Sequence, residues 1–131
     1  GYSGHKLDLE PWPDVLLAMR TRLENHLQQP FNSILVNYYR DGHDCMGWHS
    51  DDEAELGPEP TIACVSLGAE RLFKLKHKVS NSITNIKLQS GSCLIMSGQS
   101  QQNYKHALPK QTRLKHPRIS LTFRYINNGF S

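Results

Sequence analysis

The chain has 131 residues, 37% of them hydrophobic, enough to bury one core, and it reads as one domain over residues 1–131. No apolar run approaches the roughly 18 residues that span a membrane and no signal-peptide pattern opens the chain, so no membrane partner is expected. The net charge of +3 is mildly basic, and where the charges cluster matters more than the sum.

The first residue is Gly1, so the segment is expected to be trimmed at its N-terminus from something longer. Cys45, Cys64 and Cys93 are odd in number, far apart and without a Cys-x-x-Cys pair. That argues against a disulfide framework or a thiolate zinc site, and for a reduced, intracellular protein, cytoplasmic or nuclear. Residues 13–29 predict a helix, with Pro13 and Asp14 in its first turn. Val15, Leu16, Met19, Leu23 and Leu27 form its apolar stripe, and Pro30 stops it.

After Pro30 the pattern changes to short strands: NSILVNYY, TIACVSLGA, RLFKLKHK, ITNIKL, SCLIMSG and RISLTFRYI, with Gly, Pro, Asn and Asp between them. One helix followed by several short strands predicts a mainly β antiparallel sandwich or jelly roll with the helix outside.

Strand parity sorts the polar side chains. In RISLTFR, Arg118, Ser120, Thr122 and Arg124 share one face, and Ile119, Leu121 and Phe123 the other. Either this is an edge strand with a solvated exterior, or the polar face points into a barrel and grips an anion, a role that suits the planar fork of arginine. In FNSILVNYYR, Leu35, Asn37 and Tyr39 share a face, opposite Ile34, Val36 and Tyr38.

His49-Ser50-Asp51 projects an imidazole and a carboxylate the same way if it is extended. His-x-Asp is a weak motif and needs a third ligand. His106, in NYKHALP, is one candidate; two histidines and a carboxylate on a β scaffold form the facial triad of non-haem Fe(II) oxygenases. The chain has seven histidines, most of which belong on the surface, and spacing alone does not select His106 over His43.

NYYRDG, WHSDDE, VSLGA, the strand ending at His106 and RISLTFR stand in the order and spacing of the AlkB family, Fe(II)- and 2-oxoglutarate-dependent dioxygenases that remove alkyl lesions from nucleic acid bases. The resemblance covers about Tyr2 to Tyr125. It implies a double-stranded β-helix (jelly roll) with an N-terminal helix packed outside. It also implies Fe(II) held by His49, Asp51 and His106 at the catalytic centre. For 2-oxoglutarate it implies Arg118 and Tyr39 at the distal carboxylate and Arg124 with Asn37 at the iron-chelating end. Ser120 stands where the family usually has Asn, and both residues can hydrogen-bond.

The activity implied is O2-dependent demethylation of 1-methyladenine- or 3-methylcytosine-type bases in DNA or RNA by a monomer, releasing formaldehyde, succinate and CO2. Glu53 is then expected to face a cationic methylated base, and Tyr2 to stack near it. Lys110 and Arg113, in a basic loop expected at the mouth of the site, would contact phosphates. Alternatives are a hydroxylase of protein or a small molecule with the same iron site, a catalytically silent nucleic-acid-binding module, and a zinc hydrolase. The last would not explain the arginine pair.

Overall fold

A computed structural model describes the backbone of His5–Asp8 and the whole of residues 11–127; Tyr2 lies outside the described residues. Strand β1 (His5–Asp8) precedes helix α1 (Asp14–Leu27). The strands that follow are β2 (Ser33–Tyr39), β3 (Met46–His49), β4 (Ile62–Gly68), β5 (Arg71–His77), β6 (Ile83–Leu88) and β7 (Cys93–Met96). A short helix α2 (Ser100–Asn103) leads into β8 (Tyr104–Leu108), and β9 (Arg118–Arg124) ends the fold. All six predicted strands form. The sequence pattern gave no sign of β1 or β3, and His106 sits at the centre of its strand instead of its end.

The strands make two antiparallel sheets, one ordered β1-β2-β9-β4-β7 and the other β3-β8-β5-β6. This is the antiparallel sandwich expected from the pattern and the jelly roll that the family resemblance implies. Strand β9 lies between β2 and β4, which removes the reading of RISLTFR as an edge strand. Both edges of β9 are therefore hydrogen-bonded.

One face carries α1. Leu16, Met19, Leu23 and Leu27 pack there against Ile34, Val36, Ile119, Leu121 and Phe123. Val15, predicted to join the stripe, is 68% exposed instead. Helical geometry explains this: adjacent residues stand about 100° apart, so Leu16 takes the centre of the buried face and Val15 turns away. The helix ends with Gln28 in the left-handed region, its N–H donating to Glu24 O. The Glu24 carboxylate then accepts the Phe31 N–H at 2.7 Å, tying the helix to the start of β2. Among the described residues no helix is long and apolar enough to cross a membrane.

Between the sheets a second apolar cluster gathers Tyr39, Leu56, Ile62, Phe73, Leu88, Met96 and Leu108. Alternation along β2, β4 and β9 thus feeds two compartments, an apolar one under the helix and a mixed one inside the barrel.

Phe123 is fully buried between the Trp12 and Phe31 rings, at centroid distances of 6.0 and 6.2 Å. Phe123→Ala is expected to destabilise the protein by about 3–5 kcal/mol, read as a lower urea midpoint with an unchanged slope.

Candidate active site

Strands β3 and β8 deliver the two histidines. His49 and His106 are register partners, reached through a register shift between Met46 and His49, and their ring centroids are 4.1 Å apart. Asp51 lies two residues beyond β3. Its Oδ1 stands 3.9 Å from His49 Nε2 and its Oδ2 3.7 Å from His106 Nε2. One ligand atom from each residue lies within 4.8 Å of the others.

The surroundings hold both histidines in a metal-ready form. His49 Nδ1 is 3.0 Å from Gly47 O, so Nδ1–H donates there and the Nε2 lone pair faces the other two groups. Burial, and then the charge of His49, push the His106 pKa down to about 3, so its imidazole is neutral at pH 7. Burial raises the pKa of Asp51, helped by Glu53 and Asp52 and opposed by His49 and Arg124. A divalent cation would reverse that balance.

Side chains near α2 fix the segment that carries Asp51. The Asp51 N–H donates to Gln101 Oε1 at 2.8 Å, and Ser50 Oγ donates to Tyr104 O at 2.7 Å. Phe73 stacks on His106 at 5.3 Å. Sequence reading missed Gln101, Ser50 and Phe73. Phe73 shares parity with the other inward residues of β5, but no local pattern marks Gln101.

The opposite wall comes from the five-stranded sheet. Leu35, Asn37 and Tyr39 of β2 and Arg118, Ser120, Thr122 and Arg124 of β9 line one cavity with Asp51 and His106. Register sets Tyr39 beside Arg118, Asn37 beside Ser120 and Leu35 beside Thr122. Asn37, Tyr39, Arg118 and Ser120 are all buried.

The cavity encloses about 80 Å³, with Leu, Met and Phe making up the rest of most of its wall. Arg118 Nη2 donates to Ser66 Oγ at 2.9 Å, yet Arg118 Nε, Arg124 Nε and Asn37 Oδ1 have no partner. Among the described residues Asp51 is the only carboxylate lining the cavity, and neither arginine forms an ion pair. Guanidinium nitrogens buried without a partner call for an anion. A His-His-carboxylate set facing them fits Fe(II) beside a 2-oxo dicarboxylate.

Three expected contacts lie outside the cavity wall, and the fourth, Tyr2, falls outside the described residues. Glu53 is exposed in the loop after Asp51, not in the cavity wall, and it opens the 3-10 turn Ala54–Leu56. Lys110 and Arg113 are exposed in the loop joining β8 to β9 and do not line the cavity. That loop packs on the turn after β2, with Gln111 N–H donating to Gly42 O and Gly42 N–H to Leu114 O. It leaves β8 at Leu108 and enters β9 at Arg118, whereas Asp51 neighbours the Tyr104 end of β8 and Arg124. The two ends of β9 are roughly 20 Å apart. His43, the rival third ligand, is exposed and pairs with Asp41 at 3.3 Å.

A model of the 2OG-Fe(II) oxygenase superfamily matches residues 2–124. Among curated proteins, the mouse alpha-ketoglutarate-dependent dioxygenase alkB homolog 3 is 37% identical over 137 residues, covering 95% of this chain and 48% of the relative. The mouse DNA oxidative demethylase ALKBH2 is 41% identical over 133 residues, covering 95% and 56%. The chain therefore spans about half the length of the curated relatives it matches. The solved structure of OsALKBH1 superposes with a TM-score of 0.59 at 22% identity, over 85% of this chain and 61% of that one, a likeness of fold.

The lowered pKa of His106 sets an acid limit for the metal-free protein. Its ordinary value is near 6.5, so below that pH the unfolded state binds a proton that the native state refuses until about pH 3. Stability should fall as pH drops from 6.5 toward 3 and be complete above 6.5. Urea unfolding of metal-free protein at pH 4.5 and 7 reads this, and His106→Gln should reduce the difference.

Proposed function

Because the chain belongs to the 2OG-Fe(II) oxygenase superfamily, and within it to the AlkB family, we propose that it oxidatively demethylates 1-methyladenine- or 3-methylcytosine-type bases in DNA or RNA. The observation that carries the reading is one cavity with Asp51 and His106 of a His-Asp-His cluster on one wall and arginines without ion pairs among the described residues on the other. His49, Asp51 and His106 would hold Fe(II). Arg118 with Tyr39 would take the distal carboxylate of 2-oxoglutarate, and Arg124 with Asn37 and Ser120 the end nearer the metal. Iron and 2-oxoglutarate, when bound, would supply the oxidation, with O2 as oxidant: the cosubstrate would end as succinate and CO2, and the methyl carbon, once hydroxylated, would leave as formaldehyde.

The protein's own groups orient and exclude. The Gly47 carbonyl holds the His49 tautomer, and Gln101 and Ser50 hold the segment that presents Asp51. Leu, Met and Phe side chains keep the cavity dry, which strengthens every charge contact inside it. Exposed Glu53, whose charge already acts on Asp51, suits a cationic methylated base presented from the solvent side.

The outer face of the four-stranded sheet supports a polyanionic substrate. Lys74 and Lys76 of β5, Lys87 of β6 and Lys105 of β8 alternate with inward residues there, and the four strands contain no Asp or Glu. Lys76 and Lys105 are direct cross-strand partners, an arrangement that costs stability without an anion. Lys76 also lies 4.3 Å over the ring of Trp48, which is 39% exposed beside His49. The outside of the iron-side sheet is thus a one-signed platform with an aromatic at its edge.

Supplied with Fe(II), ascorbate and 2-oxoglutarate, the protein should convert a 1-methyladenine or 3-methylcytosine oligonucleotide with equal yields of succinate and formaldehyde. Asp51→Ala should lose both bound iron and turnover. Oxidation of only proteins or small molecules would instead assign a hydroxylase. Replacing Lys74, Lys76 and Lys105 with Gln should lower the slope of log affinity against log salt for a single-stranded oligonucleotide by about 2, near 0.7 per lost phosphate contact. Lys110→Gln with Arg113→Gln should change it less.

A further inference from the structure

Arg71 opens β5 in a run of lysines, yet it is 1% exposed and among the largest fully buried side chains. Alternation along the strand explains why: Arg71 shares the inward face with Phe73 and Leu75, while Lys74 and Lys76 turn out. Its guanidinium meets no carboxylate within ion-pair distance. It donates to three backbone carbonyls, from Nη1 to Asp41 O at 3.2 Å and from Nη2 to Asp44 O at 2.8 Å and Pro109 O at 3.0 Å. Those carbonyls belong to the turn after β2 and the start of the β8–β9 loop, so one side chain clasps the closed end of the barrel.

The same guanidinium lies 5.6 Å over the Tyr39 ring, and that of Arg118 lies 5.2 Å from that ring. Tyr39 is thus held against two cations, and only Arg118 reaches the cavity wall. Two like charges buried this close, neither in an ion pair among the described residues, raise each other's cost. An anion at the Tyr39–Arg118 end of the cavity would lower it for both.

We infer that Arg71 is a positioning residue for the acidic guest: it fixes Tyr39 and the closed end and adds a second positive charge behind Arg118. The cavity thereby selects 2-oxo acids that carry a distal carboxylate over those that do not. This rests on the cosubstrate reading above.

The test is calorimetric binding, without oxygen, of 2-oxoglutarate and of 2-oxobutanoate, which lacks the distal carboxylate, to the iron-loaded protein. Arg71→Met should weaken 2-oxoglutarate roughly tenfold, about the loss of one charge contact in a partly shielded site, and leave 2-oxobutanoate within about twofold. Arg71→Lys, which keeps the charge but cannot span three carbonyls, should lower the ratio of the two affinities about threefold. It decides the matter should Arg71→Met not fold by circular dichroism. Equal weakening of both acids, as from a merely loosened fold, or an unchanged ratio, would overturn the inference. A wild-type protein that binds neither acid would overturn the cosubstrate reading itself, a different result.

Discussion

Three guanidinium groups carried into a barrel with no carboxylate in ion-pair contact among the described residues are the constraint on which the rest of this structure depends. Arg118 and Arg124 face the cavity, and Arg71 stands behind. Isolating such a group from water costs several kcal/mol, so the strand that carries two of them needs a strong reason to stay in the centre of a sheet. The other side of β9 supplies it. Ile119, Leu121 and Phe123 pack under α1, and β2 and β4 hydrogen-bond along both edges. The outside helix is therefore what lets the inner face be polar.

The candidate site has two halves with different owners. The His-Asp-His cluster hangs from the four-stranded sheet and the segment after β3, while the arginines belong to the five-stranded sheet. Neither sheet alone holds an anion beside a metal. Only their packing around Phe73, Leu108 and Met96 brings the halves together. A guest that bridges them binds the folded sandwich and not the separated sheets, so it should stabilise the fold as well as react in it. Opposite charges on the two walls, one carboxylate against two guanidiniums, also give the guest a direction.

How much of this could be read in the residues depended on the length of the pattern. RISLTFR and NSILVNYY are long enough for parity to speak, and each residue assigned inward from them lines the cavity. β3 has four residues, one of them Gly47, and a register shift, so its alternation is unreadable. His106 and His43 could not be separated by spacing, because what separates them is a cross-strand partner: His49 for one, solvent for the other. The loop with Lys110 and Arg113 illustrates a related limit. Its sequence neighbours are His106 and Arg118, both of the site, but sequence adjacency does not say at which end of a barrel a loop closes. Arg71 was hidden by company, since a composition count groups it with lysines from which strand parity divides it.

That division has a consequence for the whole sheet. In β3, β8 and β5, each inward residue adjoins one that faces out: His49 beside Trp48, His106 beside Lys105, Phe73 and Leu75 beside Lys74 and Lys76. A one-residue slip would exchange the two sets, placing lysines in the cavity and the histidines on the surface. Apolar partners in the core, Phe73 and Leu108 above all, forbid that slip. The same registration that turns His106 toward Asp51 therefore turns Lys105 toward Lys76 on the outside. The metal-binding wall and the cationic outer platform are two sides of a single choice of register.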